Sequence, residues 1–262
     1  LDNRLPFKLL VGKNNMVYKP KYNKGLQQQN FKEILQEMVG IESWNLLKDN
    51  DLLALIAPSS VNFVNFTWGN PSVSNIEKVK LFYKSADFTW LTSGNDVGSL
   101  VQEGFVLDEA ISTEMVLDLN KYVISEFSTN IKVIIPKSEI ELHVWTETAI
   151  QTFGCSHDEF KEFFYPLINF AGCVPFLLMY DNQPAGTAMV YCGQETAGVY
   201  AMSTLEKYRH NGCATAAVNA CISLAKSRNL YNAVLYASTM GKPLYAKLGF
   251  EEVDVLQEWH LK

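Results

Sequence analysis

Apolar residues recur at helical spacing at Ala214, Ala217, Val218, Cys221, Ile222 and Ala225, which predicts an amphipathic helix beginning near Gly212. Just upstream, residues 198–205 (GVYAMSTL) are rich in β-branched and aromatic side chains and read as a strand. Downstream, residues 233–237 (AVLYA) predict a second short buried strand, and turn residues fill 238–242. Residues 243–250 (PLYAKLGF) then predict a short helix, with Pro243 in its first turn and Gly249 at its end. In the other half of the chain, 28–39 and 74–85 are helix-like, 52–57 form a short apolar run, and 87–92 (DFTWLT) and 114–119 (EMVLDL) are strand-like.

The two halves echo each other. A stretch from Asp96 through Leu100 leads into Gly104-Phe105 and then a strand, just as a short helix leads into Gly249-Phe250 and a final strand. Aligning the Gly-Phe pairs sets Leu100 opposite Tyr245, and the spacing agrees: Gly69 and Gly104 stand 35 residues apart, Gly212 and Gly249 37. An internal duplication is therefore expected. Its join falls between Asn120 and Asn130, where 125–130 interrupt the apolar pattern.

The chemistry concentrates at Tyr208-Arg-His-Asn-Gly-Cys-Ala214, between the predicted strand and helix. The first N–H groups of a helix have no partner inside it and carry the positive end of its dipole, so this turn suits a diphosphate. Gly212 lets a ligand approach the backbone, Ala214 keeps the next position small, and Arg209 adds a positive charge. The counterpart in the first half, Thr67-Trp-Gly-Asn-Pro-Ser72, has no arginine, and Pro71 removes an N–H that a cradle would use.

Composition narrows the classes. The chain has 262 residues, enough for one large or two modest domains, and a 48% hydrophobic content that argues against disorder. No apolar stretch is long enough for a membrane span, and the N-terminus shows no cleavable-signal pattern. A formal charge of −6 without a basic stripe argues against nucleic acid. Cys155, Cys173, Cys192, Cys213 and Cys221 are odd in number and scattered, and His143, His157, His210 and His260 are equally dispersed. That pattern predicts a reducing, cytoplasmic location and no metal site.

The order strand, Arg-x-x-Gly-x-Ala, helix, strand, Tyr-x-x-x-Gly-Phe resembles the GNAT superfamily of acyl-CoA-dependent N-acyltransferases, well over residues 185–255 and loosely over the rest of the second half. Cys213 and Ala214 stand where the family more often has an aliphatic residue and a second glycine. The resemblance implies an α/β (α+β) fold with a mixed, mostly antiparallel central sheet flanked by helices, here duplicated in tandem. Residues 1–122 would be a degenerate GNAT-like domain and 130–262 the catalytic one.

Acetyl-CoA, as cosubstrate, would lie in a V-shaped split between the two central strands. Its pantetheine would meet the backbone of Met202, Thr204 and Leu205, and its pyrophosphate would meet Arg209, His210, Asn211, Gly212, Cys213, Ala214 and Thr215. Ser238 stands where the family often has an asparagine touching the pantetheine. Tyr245 matches the tyrosine that protonates the departing sulfur, a role open to a phenol of pKa about 10 facing a thiol of about 8.5. No general base is assigned: Glu195 reads as a solvated turn residue, and His210 belongs to the loop. The acceptor would enter from the opposite side of the split, near 144–153 and 160–170; aromatics at this spacing are more often core than pocket, and Trp145 and Tyr165 are the candidates to test first. The expected activity is transfer of acetyl to a primary amine, on a small molecule or a peptide or protein, by direct attack in a ternary complex, by a monomer or homodimer. The alternative is an acyl-CoA-binding sensor or interaction module without turnover.

Overall fold

The computed structural model describes residues 22, 24–38, 44–50, 52–57, 65–93, 97–108 and 112–261. The N-terminal stretch read above for a cleavable signal, residue 39 and Asp96 lie outside them. Along the first part of the chain run α1 (Leu26–Met38), β1 (Asn45–Asp49), β2 (Leu52–Ile56), β3 (Phe66–Trp68), α2 (Val73–Tyr83), β4 (Thr89–Thr92), α3 (Gly98–Gln102), β5 (Phe105–Leu107) and β6 (Ser112–Asp118). Then come β7 (Ile131–Ile134), α4 (Glu139–Phe153), α5 (His157–Ile168), β8 (Cys173–Tyr180), β9 (Gln183–Cys192), β10 (Thr196–Thr204), α6 (Cys213–Ser227), β11 (Asn232–Ala237), α7 (Lys242–Lys247) and β12 (Glu251–Leu261).

The strands form one sheet in the order β1-β2-β3-β4-β12-β6-β11-β10-β9-β8-β7, with β5 pairing β12 to the side. Pairing is antiparallel except in β3–β4 and β10–β11, so the sheet is mixed and mostly antiparallel. A parallel pair needs a crossover, and α2 and α6 supply it. The order strand, helix, parallel strand, short helix, strand thus occurs twice, as β3-α2-β4-α3-β5 and β10-α6-β11-α7-β12.

The two halves exchange strands. β6 inserts between β11 and β12, with Met115 opposite Leu235 on one side and Glu252 on the other. Reciprocally, the end of β12 runs between β4 and β5, where Trp259 faces Trp90 and Leu107. Helix α1 also crosses over, packing on β10, β11, β6 and α5. Its side chains explain the seat: Asn30 Nδ2 donates to the Thr196 carbonyl at 2.9 Å, and Glu33 accepts from the Gln194 amide at 2.9 Å. Glu114 of β6 holds the start of α1, its carboxylate accepting from Gly25 N and Gln27 N at 3.1 and 2.9 Å. A carboxylate there also meets the positive end of the helix dipole. The sequence division at 122–130 follows the chain, but α1 and β6 of the first segment complete the second segment's sheet and its cover.

Three apolar clusters fill the two faces. One lies under α6, where Ala217, Val218, Cys221, Ile222 and Ala225 are buried as the helical spacing predicts, joined by Cys213 and Ala216, while Ala214 is only half-buried. A second joins α1, α4 and α5 to the sheet, and a third packs α2 and α3 on β2, β4 and the Trp259 end of β12. Among the described residues no helix is long and apolar enough to cross a membrane.

Candidate functional site

Strands β10 and β11 pair only from Thr196 to Gly198, against Asn232 to Val234, and separate beyond that point. The cause lies in β10. Its register against β9 shifts between Tyr200 and Ser203, and Ala201 has a positive φ of 47°, so a bulge bends the strand. Fully buried Thr187 pins it, its Oγ1 donating to the Ala201 carbonyl at 2.8 Å and its N–H to Ser203 Oγ at 3.2 Å. Gly198 marks the last paired position, and a Cβ there would collide with Asn30 Oδ1, which receives the Tyr200 hydroxyl at 2.7 Å.

A cavity of about 390 Å³ occupies the opening. From the second half it is lined by Met202, Tyr236, Ser238 and Tyr245, and from the first by Gln27, Phe31, Phe66 and Trp68. The Leu205 N–H donates to the Ala185 carbonyl on β9 at 2.8 Å. Strand N–H groups alternate between the two edges along the regular stretch from Ser203, so that of Thr204 faces the split, while Met202 lies within the bulge. Leu205 itself is buried, and its carbonyl accepts from Tyr208 N–H at 2.8 Å, so its backbone groups are already paired inside the fold.

Beyond β10 a single 3₁₀ turn (Glu206–Tyr208) leads through Arg209 and His210 into α6. Gly212 is the N-cap, left-handed at φ 86°, and no side chain caps the helix. Its first backbone bond joins Ala216 N–H to the Gly212 carbonyl at 3.0 Å, so the amides of Gly212, Cys213, Ala214 and Thr215 precede the ladder. Arg209 turns back on the strand end, its Nε donating to the Thr204 carbonyl at 3.3 Å, and Asn211 Nδ2 donates to the Arg209 carbonyl at 3.1 Å. His210, Asn211 and Gly212 are exposed. The matching helix of the first half is closed: Ser72 Oγ accepts from Asn75 N–H at 3.3 Å and caps α2.

Tyr245 lies on α7, which has Pro243 in its first turn and is followed by Gly249 at φ 91°. Its ring meets Phe250 edge-on at 5.7 Å and is 8% exposed, while its hydroxyl has no protein partner among the described residues. Burial, with a smaller contribution from the Cys221 thiol, pushes its pKa up to about 12. Burial likewise raises Tyr200 and Tyr236, so the three phenols of the cavity are protonated at neutral pH. Ser238 is exposed at the rim, and its Oγ accepts from Gly241 N–H at 3.2 Å.

Other sequence candidates fall elsewhere. Trp145 is fully buried, its Nε1 donating to the carbonyls of Phe176 and Ala188 at 3.1 and 3.3 Å, so it is core. Tyr165 does not line the cavity; Phe153, at the end of α4, does. Glu195 is exposed on the turn between β9 and β10. Sequence reasoning missed Gln27, Phe31, Phe66, Trp68 and Glu258, which reach the cavity only through the packing of α1 and the strand exchange.

Residues 141–250 match the sequence model of the Acetyltransferase (GNAT) family. No curated protein matches the sequence. The structure is similar to a GCN5-related N-acetyltransferase from Kribbella flavida, with a TM-score of 0.66, 15% identity and coverage of 91% of this chain and 96% of that one. It is also similar to a GCN5-related N-acetyltransferase from Sphaerobacter thermophilus, with a TM-score of 0.65, 11% identity and coverage of 89% and 88%. A tandem GNAT protein from the clavulanic acid biosynthesis pathway, solved without AcCoA, gives a TM-score of 0.61 at 11% identity, with coverage of 87% and 86%. The matched segment holds the bulged strand, the uncapped helix start and Tyr245, and the likeness of fold spans both halves. The chain therefore has the GNAT fold, and its residues 141–250 form a domain of the GNAT acetyltransferase family.

Proposed function

We propose that the protein transfers acetyl from acetyl-CoA to a primary amine by direct attack within a ternary complex, and that residues 130–262 carry the chemistry beside a first half, residues 1–122, without a cradle. The observation that carries this reading is the pairing of an open split with a partnerless phenol. β10 and β11 part beyond Gly198, and Tyr245 lines the cavity in the opening. The residues fit a CoA thioester: an uncapped helix start with a left-handed glycine offers amides to a diphosphate, and the free edge of β10 offers N–H groups to an amide-bearing arm. Arg209, His210, Asn211, Gly212, Cys213, Ala214 and Thr215 would hold the diphosphate, and Met202 and Thr204 the arm. Bound there, acetyl-CoA supplies the acyl group.

Tyr245 then acts on the leaving sulfur. A phenol near 12 lies three to four units above a thiol of about 8.5, so complete proton transfer alone is uphill by roughly 5 kcal/mol. The hydroxyl works first by donating a hydrogen bond to sulfur as charge develops, and the proton follows as the tyrosine is resupplied. The five unpaired cysteines fit a reducing compartment, and we place the protein in the cytoplasm.

Calorimetry with acetyl-CoA and thiol release in the presence of an amine panel test this reading. Saturable binding with amine-dependent thiol release supports it. Binding without release favours a sensor, and absence of binding defeats both.

A further inference from the structure

The family-matched segment leaves the acceptor's side of the cavity without a carboxylate. Glu195 and Glu206 are exposed at the surface, outside the cavity lining. Glu114 is committed to the amides at the start of α1, and Asp254 is paired with Lys24 at 3.3 Å. Glu258 is different. It is the one carboxylate among the described residues lining the cavity that holds Tyr245. It also lines a second cavity of about 600 Å³ with Asp87, Asp108 and His260, so it stands in the wall between the two.

The backbone fixes it there. Glu258 pairs with Leu91 of β4, and its carbonyl accepts from Asp108 N–H at 2.8 Å. Alternation along β12 puts Leu256, Glu258 and His260 on the cavity side, while Trp259 packs in the opposite core. Among the described residues its carboxylate accepts no hydrogen bond and forms no ion pair. A second observation points to a ligand in the same place. Gln27 is 1% exposed, lines the cavity, and its Oε1 has no hydrogen-bond partner. A buried carbonyl left unpaired is costly, and an N–H donor would relieve it. The remaining wall is aromatic, with Phe31, Phe66, Trp68 and Phe153, a surface that suits an apolar stem and the face-on approach of a cation.

We propose that Glu258 and Gln27 receive the acceptor's nitrogen, that Glu258 removes its proton, and that the acceptor is a cationic primary amine on an apolar or aromatic stem entering past Asp87 and Asp108. The inference rests on the acetyl-transfer reading above. One proton passes from the ammonium to the Glu258 carboxylate and out through the second cavity. The freed nitrogen pair forms the C–N bond as the C–S bond breaks and its electrons leave on sulfur. The second nitrogen proton replaces, through solvent, the one that sulfur takes with the help of Tyr245.

Glu258 is held above the usual carboxylate range by burial and by the charge of Asp108, with His260 opposing. Asp87 lines the second cavity with it, and Tyr200, Tyr236 and Tyr245 line the first.

The test uses the full chain and three probes of one shape: 2-phenylethylamine, 2-phenylethanol and 3-phenylpropanoate, titrated with and without acetyl-CoA. The wild-type protein should bind the amine at least about tenfold more tightly than the alcohol or the acid, and Glu258→Gln should erase that preference while leaving acetyl-CoA affinity within about twofold. Gln27→Leu should weaken the amine and spare acetyl-CoA in the same way. Transfer to 2-phenylethylamine should lose its carboxylate limb of pH dependence in Glu258→Gln. No preference for the amine in wild type, no binding of it, or unchanged preference in Glu258→Gln overturns the proposal. Failure of acetyl-CoA itself to bind overturns instead the reading on which the proposal rests.

Discussion

Replacing Tyr245 by phenylalanine removes one atom, and the structure says what that atom does and does not do. The ring of Tyr245 packs on Phe250 at 5.7 Å and is 8% exposed, and phenylalanine keeps that packing. The hydroxyl has no protein partner among the described residues, so its loss should change folding stability by less than about 1 kcal/mol. The cradle and the free edge of β10 are untouched, so acetyl-CoA affinity should stay within about twofold. What disappears is the hydrogen bond to the leaving sulfur. A positioned donor of this kind is typically worth about a hundredfold or more, or about 2.7 kcal/mol of barrier. Steady-state thiol release at saturating acetyl-CoA should therefore fall about a hundredfold, with urea midpoints and calorimetric affinity nearly unchanged. The pH profile adds a second readout. A phenol near 12 stays protonated through pH 10, so the wild-type rate should show no alkaline loss from this group between pH 8 and 10. A variant retaining more than a third of wild-type turnover, or losing acetyl-CoA affinity in parallel with rate, would refute the reasoning.

The remaining expectations concern the frame around the site. Acetyl-CoA at a hundred times its dissociation constant should stabilise the fold by about 2.7 kcal/mol, seen as a rise in melting temperature. Gly212→Ala should cost about 1–2 kcal/mol in a urea titration and weaken acetyl-CoA, because alanine is strained at φ 86° even though a Cβ would meet only Ile131 Cδ1 at 3.6 Å. Trp145→Phe strips the donor from two buried carbonyls and leaves a void, so it should destabilise by at least about 2 kcal/mol without a specific change in acceptor KM. At the capping box of α4, the Glu141 carboxylate accepts from the Lys137 amide at 2.7 Å and from the Ser138 amide at 3.1 Å, and those bonds hold it below its ordinary range. Its contribution is present above the unfolded pKa and fades as pH falls through the folded one, so Glu141→Gln should flatten the acid limb of the stability curve measured by urea titration.

The sequence revealed what is local. Helix α6 announces itself through six apolar positions on one face, and Pro243 and Gly249 bracket α7 at the distance of a short helix. The uncapped helix start at Gly212 was legible for the same reason, since a glycine between a strand and a helix start is a feature of adjacent residues. Chain-distant pairings were not. The burial of β6 on both faces shows in its apolar run, but nothing in that run says that Met115 lies beside Leu235 or Glu252. Helix α1 reads as an ordinary amphipathic helix, and only Asn30, Glu33 and Glu114 in three dimensions show which sheet it covers. Trp145 stood between core and pocket because an aromatic residue on a helix leaves the same trace whether it faces a ligand or a core; the two carbonyls that satisfy its N–H decide for the core.

The strand exchange also gives a physical reason for a first half to persist after its own helix start has closed. The sheet of the second half would end in open edges along β11 and β12 without β6 between them, and unpaired edges invite association with other chains. The first half in turn needs the end of β12 between β4 and β5, where Trp259 joins the cluster under α2 and α3. Neither sheet is complete alone. One wall of the cavity is built at this join, from Phe66 and Trp68 of β3, Leu91 of β4, and Leu256 and Glu258 of β12. On the proposed reading, a change of acceptor would be written into β3, β4 and α1 without touching the amides at the start of α6, because the two sets of residues stand on different elements.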